Sequence, residues 1–177
     1  MKVLKVLLLL IALGVGAVST IMYSGIVDVA ADEPHGDLVY WLLEETRKNS
    51  IQKAAQNIEV PDLSDPELLL TGGADYELMC SSCHLKPGQS ESDMSLGLYP
   101  VPPNLAVSND NHEGHQHGDD KQADRNSFWV IKHGIKASGM PAWGKTHDDQ
   151  RIWAMVAFIK RLPTLTPEQY QILTAID

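Results

Sequence analysis

The chain has little cysteine, no excess of positive charge and no stretch of alternating apolar and polar residues. Only two of its 177 residues are cysteine, Cys80 and Cys83. No second C-x-x-C accompanies them, which excludes a zinc ribbon built from two ligand pairs. The sequence around them reads as helix rather than βαβ, which sets aside a thioredoxin-like redox pair. Basic residues number 14 against 23 acidic ones, a balance that argues against a nucleic-acid partner. No internal repeat is present, and no nucleophile–base pair points to a hydrolase. The missing strand alternation makes the expected fold class all-α.

What is present is Cys80-Ser81-Ser82-Cys83-His84. C-x-x-C-H is the attachment signature of c-type haem. Two thiols add across the two vinyl groups and form thioethers. The histidine that follows then supplies an axial nitrogen to the iron. Both cysteines are used, so the expected cofactor is one covalent haem c per chain.

The N-terminus bears on location. Lys2 and Lys5 precede an uncharged run from Val6 to Val27, 22 residues closed by Asp28. As a helix that run is roughly 33 Å long, enough to cross a ~30 Å hydrocarbon core. Residues 1–5 are then a cytoplasmic n-region and 6–27 a transmembrane anchor. The rival is a cleaved signal peptide, with Val29-Ala30-Ala31 as an A-x-A-like site. The run exceeds an ordinary signal h-region, which favours the uncleaved anchor. On either reading the remainder is exported, and the expected address is the periplasmic face of a Gram-negative inner membrane. Without Lys2 and Lys5 the chain carries 12 basic and 23 acidic residues. That surface suits a basic docking face on a redox partner, or serves solubility alone.

Residues 28–61 read as a polar stalk followed by an amphipathic helix from Gly36 to about Asn57. Asp65-Pro66 reads as an N-cap with proline at the first helical position. A helix from Pro66 to about Cys80 follows, then a loop rich in Gly, Pro and Ser to Ala106. Residues 108–126 form a polar, His-rich loop. A short helix is expected from Ser127 to Gly134, and a last core helix from Asp148 to Leu162. That last helix carries Ile152, Trp153, Val156 and Ile159 at helical spacing and is stopped by Pro163. Pro167 opens a final turn. The compact domain spans 62–177, an ordinary single-domain size.

The chain resembles a class I c-type cytochrome, and within that family a membrane-tethered proteobacterial monohaem subgroup. Gly72 and Tyr76 match a glycine and an aromatic upstream of the first cysteine. The resemblance implies that Gly72 lets the C-terminal helix cross closely, with Trp153 or Phe158 beside it. Pro103-Asn104-Leu105 matches a Pro-x-Leu segment, whose proline carbonyl would accept a hydrogen bond from His84. Gly139-Met140-Pro141-Ala142-Trp143-Gly144 matches the loop that carries the distal methionine, so the resemblance implies His84 and Met140 as axial ligands. Met94 and His133 are the competing ligands. Further matching stretches are Cys83-His84-Leu85-Lys86-Pro87-Gly88, Gly97-Leu98-Tyr99-Pro100 and the run from Phe128 to Lys136. The resemblance covers about residues 36–173.

One insertion stands apart. His112, His115 and His117, with Glu113, Asp119 and Asp120 nearby, form a candidate second site for a borderline divalent metal. The opposing reading is a solvated polar loop. The function these features imply is one-electron transfer by a His/Met-ligated haem, without a substrate reaction. The alternatives are a haem subunit of a larger periplasmic oxidoreductase, with the helix before Pro61 as its docking element, and a haem protein coupled to metal binding at the His loop.

Overall fold

The computed structural model describes residues 1–107 and 120–175. It divides into two compact units, Met1–Glu33 and Pro34–Asp177. The first unit contains helix α1, Lys2–Ser24. This helix is long and apolar enough to cross a membrane, a character that a signal sequence shares.

The second unit is all-α. Its helices are α2 (Asp37–Ala55), α3 (Pro66–Met79), α4 (Ser81–His84), α5 (Asp93–Leu96), α6 (Asp120–His133), α7 (Asp149–Arg161) and α8 (Pro167–Leu173). No strand occurs among the described residues. Helix α3 starts where Asp65-Pro66 directs it. Pro66 fits the first turn, where its missing N–H costs nothing, and the Asp65 carboxylate accepts from the Glu67 N–H at 2.9 Å. Asp148 caps α7 in the same way, accepting from Arg151 N–H at 2.8 Å. Lys160 and Arg161 sit in the last turn of α7, where cations complement the helix dipole.

The main packing contact is α3 against α7. A Cβ on Gly72 would overlap the carbonyl oxygen of Ala154, so only glycine permits this crossing. One turn along, Asp75 is buried and accepts from Arg151 Nε at 2.6 Å, with a second bond between the same groups. The paired fork fixes the register of the two helices. Phe158 lies beside Tyr76, ring centroids 5.4 Å apart. Trp153, the other aromatic considered for that role, stacks on Phe128 of α6 at 4.2 Å.

Three elements differ from the sequence expectation. Helix α7 is buried at every position from Ile152 to Phe158, not along one stripe. It runs between α3 and α6, and Ala154 and Ala157 keep it slim enough to fit. Helix α6 begins at Asp120, seven residues before the expected Ser127. Its first turns carry no apolar stripe and are held by polar contacts. Asp124 is buried against Lys160 Nζ at 2.9 Å, and Arg125 Nε donates to the Ile58 carbonyl at 2.9 Å. The polar loop therefore does not extend to residue 126. Helix α2 packs on α6, yet its only buried residues are Ile51 and Ala55, in its second half. Leu38, Trp41 and Leu42, which lie at helical spacing in its first half, are exposed.

The crossing makes a sharp prediction. Gly72→Ala should cost about 3 kcal/mol in urea unfolding, the upper end for overpacking, because the opposing atoms are backbone. Gly36→Ala, with open space around it, should stay within about 0.5 kcal/mol.

Candidate haem-binding site

The site grows from the end of α3. After Met79 the chain turns once through Cys80 and enters α4. The N–H groups of Cys83 and His84 both donate to the Cys80 carbonyl, at 3.1 and 2.8 Å. This single turn brings two thiols and an imidazole together. Neither thiol is in a disulfide, and Cys80 is buried. Burial, with smaller contributions from Asp75 and Cys83, pushes the Cys80 thiol up to about 12.

The chain then reverses at Leu85, whose φ of 67° is unusual for a branched side chain. Tyr76 holds that turn. Its hydroxyl donates to the Leu85 carbonyl at 2.6 Å and lies 3.2 Å from the His84 carbonyl. Burial raises the Tyr76 phenol well above its ordinary value, so it remains a donor. The aromatic that sequence matching placed four residues before Cys80 is therefore both a core residue and a clamp on the motif.

Segment 103–105 meets His84 twice. Leu105 N–H donates to the His84 carbonyl at 3.0 Å. The Pro103 carbonyl lies 2.9 Å from His84 Nδ1. A carbonyl can only accept, so Nδ1 carries a proton, and in the neutral ring Nε2 then keeps its lone pair. Burial holds the imidazole below its usual value, against the opposing pull of the Pro103 carbonyl. The ring is thus oriented, its neutral form is favoured, and that form leaves Nε2 open, the state a metal takes up.

Met140 is half-buried and packs against the cluster formed by Phe128, Ile131, Ile152, Trp153, Met155 and Val156. Its loop is fixed through the backbone. Ile135 N–H donates to the Met140 carbonyl at 3.2 Å. The Ser138 hydroxyl accepts from Met140 N–H at 3.1 Å and donates to the Ile135 carbonyl at 2.8 Å. Gly134 takes a φ of 65°, and a Cβ there would come within 2.7 Å of the Met140 carbonyl oxygen. Sequence reasoning missed Gly134 and Ser138. A glycine ending a helix is ordinary, and its second role depends on a loop six residues away.

The competing ligands lie elsewhere. Met94 is on α5 and 51% exposed. His133 is exposed at the end of α6, its ring 5.0 Å from that of Trp129. His112, His115 and His117 lie outside the described residues. Among the described residues no group of three or more His, Cys, Asp or Glu side chains could hold a metal ion.

The family model described as cytochrome c oxidase, cbb3-type, subunit III matches residues 67–159, more than half of the chain. The chain belongs to this family. It is a c-type cytochrome domain of class I type, and the family binds covalent haem c. No curated protein and no solved structure matches the chain. The residues present fit the family's cofactor. Two unpaired thiols lie one turn apart beside a neutral imidazole whose outer nitrogen is free. As a cytochrome of this family, the protein carries electrons to and from redox partners.

Gly134→Ala should cost about 1–3 kcal/mol through a left-handed backbone and the clash with Met140. Ser138→Ala should cost about 1 kcal/mol through one lost hydrogen-bonding group. Guanidinium unfolding of the two holoprotein variants checks both.

Proposed function

We propose that the protein is a membrane-anchored, periplasmic monohaem cytochrome that carries single electrons, with His84 and Met140 as axial ligands. The observation that carries the reading is the His84 Nδ1–Pro103 carbonyl contact of 2.9 Å, which leaves Nε2 as the one available ring donor. Cys80 and Cys83 would hold the haem through thioethers. Pro103 orients the imidazole and raises its basicity. Gly134, Ile135 and Ser138 hold the Met140 loop, so the thioether is presented without further ordering. When bound, the haem supplies the one-electron couple, and a neutral sulfur donor favours its reduced form. Buried side chains of α6 and α7 exclude water. With both axial positions taken by the protein, there is no open site for substrate chemistry, and the protein acts as a carrier rather than an enzyme.

Helix α1 supports the anchor, and Lys2 and Lys5 support a cytoplasmic N-terminus with export of the remainder. Tethering raises the effective concentration of the carrier at membrane-bound partners. A second reading is favoured by the description of the family itself. As a haem subunit of a larger oxidase, the chain would co-purify with partner subunits after mild detergent extraction.

Met140→Ala tests the ligand assignment. The thioether–Fe(III) charge-transfer band of the oxidised protein should vanish and the midpoint potential should fall. Met94→Ala should leave both unchanged. A band that persists in Met140→Ala and is lost in Met94→Ala would reverse the assignment.

A further inference from the structure

After its first residue, Asp37, helix α2 runs through six successive apolar residues, Leu38, Val39, Tyr40, Trp41, Leu42 and Leu43, each between 46% and 69% exposed. Six residues cover more than one full turn, so the exposure runs all round the helix rather than along a stripe. From Glu44 onward the helix turns polar, with the Arg47–Glu44 ion pair at 2.6 Å. The apolar character is thus divided along the axis of α2, not around it. A helix that lies in a protein groove shows a stripe at i, i+3, i+4 spacing. A helix apolar on every side is one surrounded by an apolar medium.

We infer that the first two turns of α2 insert into the lipid bilayer, as a second membrane contact beyond the anchor. This rests on the reading of α1 as a retained anchor. Six residues of helix are about 9 Å long, far short of a span but matched to the ~5–10 Å depth of interfacial insertion. Tyr40 and Trp41 are the residue types that concentrate at that depth, their rings in the apolar layer and their polar atoms toward water. Twelve residues, 25–36, separate the end of α1 from the start of α2 and reach at most about 40 Å. The insertion site is therefore within reach of the membrane that would hold α1. Charge does not drive the contact, because the exported chain is acidic and anionic lipids repel it.

The test uses full-length holoprotein, with a protease site placed between Asp28 and Glu33, reconstituted in phosphatidylethanolamine–phosphatidylglycerol vesicles. After cleavage the haem absorbance should sediment with the vesicles, and should still do so in high salt. Trp41→Ser with Leu42→Ser should reduce that partition at least about tenfold while leaving the haem spectrum intact. Brominated acyl chains should quench tryptophan emission in the parent protein, and that quenching should be lost in Trp41→Phe. Release of the parent domain on cleavage would overturn the inference, and a dimer in the supernatant would identify a second copy as the occupant. Equal retention of the double variant, or absence of quenching, would also overturn it. The N-terminal mass of protein extracted from membranes tests the anchor separately. If it begins after Ala31, the anchor reading fails, and the same vesicle measurement on that shorter protein still decides the insertion.

Discussion

The close crossing of α3 and α7 at Gly72 is the constraint on which the rest of the unit depends. Without a side chain there, the two helices meet backbone to backbone at Ala154. That distance puts Phe158 beside Tyr76 and brings Arg151 within reach of the buried Asp75. Asp75 is the costly member of the pair. Removing Arg151 would leave a buried carboxylate unpaired, so the ion pair acts on register more than on net stability. With the register set, Tyr76 arrives under the turn at Leu85, and the thiols and His84 follow at fixed positions. The site is thus assembled from α3 and α7, by residues outside the attachment motif itself.

The parts of this arrangement that were legible in the sequence are those with local causes. The attachment motif needs only its own spacing. Asp65-Pro66 needs only the geometry of one helix end. The place of Pro103 and Met140 came from resemblance, and in the structure His84 Nδ1 donates to the Pro103 carbonyl. What was illegible depends on distant partners. Helix α6 starts at Asp120 because Asp124 meets Lys160, 36 residues away, and Arg125 meets Ile58, 67 residues away. No local pattern announces such contacts. The seven-residue buried run of α7 was hidden because apolar spacing marks one packed face, while two neighbours cover this helix from both sides. Gly134 looked like an ordinary helix terminator, since its contact with Met140 exists only in three dimensions.

Helix α2 shows how a pattern can mislead when only its period is read. Leu38, Trp41 and Leu42 have helical spacing, yet none is buried. The signal lies in where the apolar residues stop, at Leu43, rather than in how they repeat. The polar half joins the haem domain through Ile51 and Ala55, and the apolar half is left for another medium. A domain placed this way would present its acidic surface to soluble partners while staying close to membrane-bound ones.

The central claim is that Cys80, Cys83 and His84 form the attachment site of one haem c. The most direct test is the intact mass of the purified protein under denaturing conditions, which strip any haem held only by its ligands. The mass of one haem added to each polypeptide, and lost when Cys80 and Cys83 are both replaced by alanine, is the expected result. A parent chain at its unmodified mass, with porphyrin released free, would contradict it.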